Sequence, residues 1–142
     1  MGRILAIDYG VKRTGIAVSD PLQLIAGGLE TVDTKGLEKW IKEYCEKNDV
    51  STIVVGKPSQ MSGEPSQTWK YIEPLVARLK KAHPLIEVTL YDERFTSVLA
   101  HRTMLESGIG RMARRNKALV DKISATIILQ GYMESLALRA NN

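Results

Sequence analysis

The chain has 142 residues, of which 44% are hydrophobic and 25% charged, with a formal net charge of +4 and a pI near 9.2. That length suits one domain around one core, and the composition excludes a disordered chain. The mild basicity permits a polyanionic partner, and the single cysteine, Cys45, excludes an internal disulfide.

In chain order, Arg3 to Asp8 is a short apolar run that reads as a buried strand. Tyr9-Gly10-Val11-Lys12-Arg13 is a polar turn, and Thr14 to Ser19 reads as the second strand of a hairpin. Ser19-Asp20-Pro21 breaks it. Leu24 to Val32 reads as a third strand, made irregular by Gly27-Gly28. Lys35 to Asn48 is helical, with Leu37, Ile41, Tyr44 and Cys45 on one stripe, where Cys45 reads as a small buried apolar residue. Thr52 to Val55 is a β-branched strand ending at Gly56. Lys57 to Pro65 is a loop, and Ser66 can cap a helix to about Ala82, stopped by His83-Pro84. Ile86 to Tyr91 is the last strand. Thr96 can cap a helix that ends at Ser107-Gly108; Gly110 to Asn116 is a basic loop; and Asn116 can cap a final helix to about Arg139.

The order β-β-β-α-β-α-β-α-α predicts an α/β domain with a mixed five-stranded sheet and helices on both faces. The later strands join by right-handed crossovers and lie parallel. Ligands of such open sheets sit beyond the carboxyl ends of the parallel strands. No stretch approaches a membrane span, and Ile4 to Ile7 is too short for the core of a signal peptide, so the expected location is cytoplasmic.

Three acids stand where that topology can bring them together. Asp8 ends the first strand and is followed at once by a glycine turn. Asp92 and Glu93 end the last strand; alternation sends neighbours to opposite faces, so only one joins a shared site. Glu93, with the longer reach, is the choice, and Asp92 the reserve. Asp121 heads the helical stripe Asp121, Ser124, Ala125, Ile128, Tyr132. Converging carboxylates repel and are held together by a hard cation, Mg²⁺ or Mn²⁺, and two such cations can run an in-line displacement at phosphorus. For each acid the plainer reading is local: a turn-forming aspartate at Asp8, a charged strand end at Glu93, and an i,i+4 pair with Lys117 at Asp121.

Arg111, Arg114, Arg115 and Lys117 form a basic run just before Asp121, and Lys12 and Arg13 follow Asp8. Arg94 can neutralise the carboxylates or hold a phosphate in bidentate fashion. Such residues supply sequence-independent affinity for nucleic acid. The Gly10 to Gly15 spacing mimics a P-loop, but Ile16-Ala17 replaces the required Lys-Ser/Thr. His83 and His101 have no triad partners and read as surface residues; Trp69 and Tyr71 read as helix packing, with base stacking as the alternative.

Four motifs resemble one family. Ile7-Asp8-Tyr9-Gly10 with Arg13, Gly15, Ala17 and Ser19-Asp20 resembles the opening motif of the YqgF family, also called RuvX or Holliday-junction-resolvase-like. Gly56, Pro58, Met61 and Gly63 resemble its second motif, Asp92-Glu93-Arg94-Phe95-Thr96-Ser97 its third, and Asp121, Ala125, Ile128-Leu129-Gln130 and Tyr132 its final helix. The departures are Lys57 for an apolar residue, Ser97 for Thr, and Ser124 among positions that are often Ala.

The resemblance implies a ribonuclease-H-like fold and a divalent-metal nuclease with Asp8, Glu93 and Asp121 as metal-binding catalytic carboxylates. It implies nucleic acid as partner: RNA, in 5′ maturation of the small-subunit ribosomal RNA precursor, ahead of branched DNA. A ribosomal precursor particle is a compatible partner, and the molecule is a monomer or homodimer. A non-catalytic binding factor relying on Arg114 and Arg115 is the alternative. An actin-like phosphotransfer enzyme is disfavoured, because it needs two lobes.

Overall fold

The computed structural model describes residues 2–57, 69–92 and 117–140, with side chains of the last stretch described from 124 to 138. Its strands are β1 (Arg3–Asp8), β2 (Arg13–Ser19), β3 (Ala26–Asp33), β4 (Val50–Lys57) and β5 (Glu87–Asp92). Its helices are α1 (Leu37–Lys47, entered through a 3₁₀ turn at Thr34–Gly36), α2 (Trp69–Ala82) and α3 (Lys117–Ala140). The helix expected over 96–107, its Thr96 cap, the 110–116 loop and the Ser66 cap lie outside the described residues.

The sheet runs in the order β3-β2-β1-β4-β5. β1 pairs antiparallel with β2 and parallel with β4, β2 pairs antiparallel with β3, and β4 pairs parallel with β5. The expected mixed sheet with helices on both faces is therefore what the chain adopts.

Alternation along β1 sorts the core into two halves. Leu5 and Ile7 join Ile16, Ile53, Val55, Val88 and the apolar stripes of α1 and α2. Ile4 and Ala6 join Ala17, Val54 and the α3 residues Ala125, Ile128, Leu129 and Tyr132. A central strand covered on both faces needs a continuous apolar run, which is why Ile4-Leu5-Ala6-Ile7 does not alternate with polar residues.

Two strand boundaries and the burial of Cys45 differ from the sequence expectation for physical reasons. β3 begins at Ala26 and not at Leu24, because the Asp20 carboxylate accepts the backbone N–H groups of Leu24 (2.6 Å) and Ile25 (2.8 Å) and keeps them out of the ladder. β4 extends beyond its β-branched run at both ends because it is paired on both sides. Cys45 packs against the α1–α2 core but is half-buried, and burial pushes its thiol pKa up. The irregularity expected at Gly27-Gly28 is a bulge: Ile16 pairs with Glu30 and Ala17 with Gly28, leaving Leu29 as the extra residue.

Candidate active site at the carboxyl edge of the sheet

The parallel strands β1, β4 and β5 end together in Asp8, Lys57 and Asp92. Ile7 is level with Val55, and Gly56 with Tyr91, so Asp8, Gly56 and Tyr91 form one row across the sheet. On the other side of Asp8 stands its register partner, Gly15. Parity places this row on the α3 face, since Ala6 and Tyr91 pack there. The half-buried Asp8 thus has a glycine on each neighbouring strand, both buried. At this level of the sheet the two cross-strand neighbours of Asp8 contribute no side chain of their own.

The turn after Asp8 is fixed from outside its own sequence. The Thr34 hydroxyl donates to Gly10 O at 2.6 Å, and the Thr34 N–H donates to Lys12 O at 3.1 Å. The fully buried Thr14 lies 2.9 Å from the Thr34 hydroxyl. Because Thr34 spends its proton on Gly10, Thr14 is the donor of that pair. A side chain on Gly10 would collide with Arg13 O, which explains the glycine. Lys12 and Arg13 are exposed on this turn, beside Asp8.

β5 carries its two half-buried terminal residues on opposite faces. Tyr91 packs on the α3 side, so Asp92 belongs to the α1–α2 side, away from Asp8. Glu93, the residue chosen from sequence, lies outside the described residues, as do Arg94, Arg111, Arg114 and Arg115. Lys117 and Asp121 belong to the first turns of α3. Asp121 occupies the helical register four and seven positions before Ala125 and Ile128, both buried against the sheet.

Two contributors were not singled out from sequence. Thr34 lies far along the chain from the turn it holds, and nothing local marks it. Gly131 in α3 lies against Tyr91: a Cβ there would be 2.5 Å from the Tyr91 hydroxyl oxygen and 2.8 Å from Cζ. A glycine inside a helix was the available signal. The Ser19-Asp20 motif lies at the opposite end of the sheet. The Ser19 hydroxyl accepts the Ile4 N–H at 2.8 Å and donates to Asp20 O at 2.9 Å, so it locks the hairpin and is remote from Asp8.

Among the described residues no three His, Cys, Asp or Glu side chains cluster. The donor chemistry still suits a hard cation: an oxygen-donor carboxylate at a strand end, with a glycine in register on each neighbouring strand.

The model of the family described as "RuvX: Holliday junction resolvase" matches residues 2–135. The chain belongs to the RuvX family. A relative in Bacteroides thetaiotaomicron, named "Putative pre-16S rRNA nuclease", is 62% identical over 135 residues, covering 95% of this chain and 98% of that one. Relatives of the same name in Bacteroides fragilis and Flavobacterium psychrophilum are 58% and 49% identical, over 97% and 94% of this RuvX chain and 100% and 97% of their own. Among solved structures, the fowlpox virus Holliday junction resolvase aligns with a TM-score of 0.54 at 14% identity, over 94% of this chain and 99% of that one. At that identity the likeness concerns the fold alone, and it agrees with the ribonuclease-H-like expectation.

Proposed function

We propose that this RuvX-family chain is a metal-dependent nuclease that hydrolyses phosphodiester bonds in the 5′ maturation of precursor 16S ribosomal RNA. The observation that carries the reading is the placement of Asp8: it closes a central parallel strand between two buried glycines, on the face covered by the helix to which Asp121 belongs. The names of relatives at 49–62% identity supply the RNA substrate. The family description supplies the rival, branched DNA.

Asp8, Glu93 and Asp121 would hold Mg²⁺ or Mn²⁺. Parity counts against Asp92, because Tyr91 packs on the α3 side and Asp92 therefore belongs to the other face of β5. The bound cation would supply charge neutralisation at the phosphoryl group and a water of lowered pKa. The chain's own part is positional. The glycine-flanked niche admits a phosphate and its counter-charge, and the Thr34 tie holds the turn that presents Lys12 and Arg13. Arg94, Arg111, Arg114, Arg115 and Lys117 extend phosphate binding along the strand. A soluble cytoplasmic enzyme meeting a ribosomal precursor particle fits this substrate.

The test is cleavage of a precursor 16S 5′ fragment and of a four-way DNA junction, with and without Mg²⁺, by wild type and Asp8→Asn. The expected result is Mg²⁺-dependent cleavage of the RNA, lowered about a thousandfold or more in the variant, by analogy with losses of a central catalytic group. Equal turnover in both proteins removes Asp8 from the reaction. Preference for the junction moves the substrate to branched DNA.

A further inference from the structure

Lys57 is the last residue of β4, between the ends of β1 and β5. It pairs in register with Asp92 and follows the buried Gly56 that flanks Asp8. Parity puts it on the α1–α2 face, in line with the fully buried Ile53 and Val55. A residue continuing that row for packing alone would be apolar. The residue as a whole is half-buried, so its aliphatic stem is packed at the edge and its ammonium is carried at the end of that stem.

Beside its register neighbour Asp92, Lys57 also has an aromatic contact. The Lys57 Nζ lies 5.0 Å from the centroid of the Trp69 ring, within the range of a cation–π contact. Trp69 is the first residue of α2 and is itself packed, half-buried, against the α1–α2 core. The ring is therefore a fixed plate, and it restricts an ammonium that would otherwise sample many rotamers. Cationic residues then stand on the strands to both sides of Asp8 at the sheet edge, Lys57 on the opposite face from the Asp8 carboxylate, so that its reach is to a phosphate past the edge and not to the scissile one. Lys12 and Arg13 are on the β2 side and Lys57 on the β4 side, with adjacent strands only about 4.8 Å apart.

We propose that Lys57 binds a phosphate of the substrate strand beyond the scissile bond, and that Trp69 is the positioning residue that holds it there. This deepens the nuclease reading and rests on it. A single-stranded RNA crossing the carboxyl edge from Asp8 toward β5 passes the end of β4, where the ammonium waits at a set height. Trp69 acts through Lys57: its indole packs against the core and meets the ammonium, so it serves as a support and not as a stacking platform.

The experiment measures binding of a labelled single-stranded RNA to the full chain as a function of salt, with metal withheld so that no turnover occurs. It compares wild type, Lys57→Met, Trp69→Phe, Trp69→Leu and the double variant Lys57→Met/Trp69→Leu. One lost phosphate contact lowers the slope of log affinity against log salt by about 0.7 for a single strand. Over a fourfold rise in salt, wild type should then lose about threefold more affinity than Lys57→Met. Trp69→Leu should show part of that change, Trp69→Phe should restore it, and the double variant should match Lys57→Met. An unchanged slope in Lys57→Met overturns the phosphate contact. A slope change in the double variant larger than in Lys57→Met overturns Trp69 as a support for Lys57. A thermal shift in Trp69→Leu with no slope change shows a structural tryptophan only and likewise overturns its positioning role. If wild type cleaves RNA while Lys57→Met keeps the full slope, this subsite fails and the nuclease stands. If wild type neither binds nor cleaves RNA, the nuclease reading fails and takes the subsite with it.

Discussion

Gly131→Ala is the substitution whose sign the structure decides against local propensity. In a helix interior, alanine is favoured over glycine by about 1 kcal/mol, so α3 by itself should gain from the change. The new Cβ would stand 2.5, 2.8 and 3.0 Å from Oη, Cζ and Cε1 of Tyr91. Three atoms of a planar ring are too close at once, so no single torsion of a chain end relieves them and the ring must swing. Overpacking of this kind costs about 1–3 kcal/mol. A cleft of about 560 Å³ lined by Tyr91, Asp92, Gly131 and Tyr132 lets the ring yield, which places the cost low in that range. After the helical gain, the net is a destabilisation of about 1 kcal/mol or less, a fall in Tm of about 2–4 °C for a domain of this size. The assay is thermal unfolding of the four corners of a cycle: wild type, Gly131→Ala, Tyr91→Ala and both. With Tyr91 removed, the clash is gone and Gly131→Ala should stabilise by up to about 1 kcal/mol. Because Tyr91 shares its row with Asp8, RNA cleavage should fall in the single variant more than stability does. Stabilisation of equal size in both backgrounds would refute the reasoning.

Thr34→Val removes the hydroxyl that bonds Gly10 O and leaves the buried Thr14 hydroxyl without its acceptor. An unsatisfied buried group costs about 1–3 kcal/mol, read by denaturant unfolding, and KM for RNA should rise as the Lys12-Arg13 turn loosens. Hydrogen bonds from the backbone, chiefly Ile25 N–H, hold the Asp20 carboxyl below the ordinary aspartate range, against a smaller opposing effect of desolvation. A depressed folded pKa contributes stability above the unfolded value that fades as pH falls through the folded one. Asp20→Asn should therefore flatten the pH dependence of Tm below roughly pH 4, and an unaltered acid limb would count against the turn. Glu93→Gln should abolish RNA cleavage as Asp8→Asn does, whereas Asp92→Asn should retain it within about tenfold, since alternation turns Asp92 to the other face; the reverse ranking would reassign the site.

Periodicity and punctuation made most of the fold legible. The continuous apolar run Ile4 to Ile7 could only be a strand covered on both sides, and β1 has the bounds Arg3–Asp8 read from it. The hairpin, the bulge near Gly27-Gly28, the stop at His83 and the long final helix all follow from local chemistry. So did Asp8 as the end of a parallel strand. Local chemistry failed where a distant group competes for the backbone, as at Leu24 and Ile25, whose N–H groups belong to Asp20.

Sequence alone determined which residue types could bear chemistry and that Asp8 would stand at the end of the first strand, because alternation and helical period act over a few residues. It could not rank the motif residues by role. Ser19-Asp20 belongs to the same motif as Asp8, yet strand direction sends the two to opposite ends of the sheet, where Ser19 bonds the Ile4 N–H and Asp20 closes a turn. Only the tertiary structure set glycines on both sides of Asp8, tied its turn to Thr34 and laid Lys57 over Trp69. Those relations depend on register between strands and on packing between elements distant in the chain, and no local spacing encodes either.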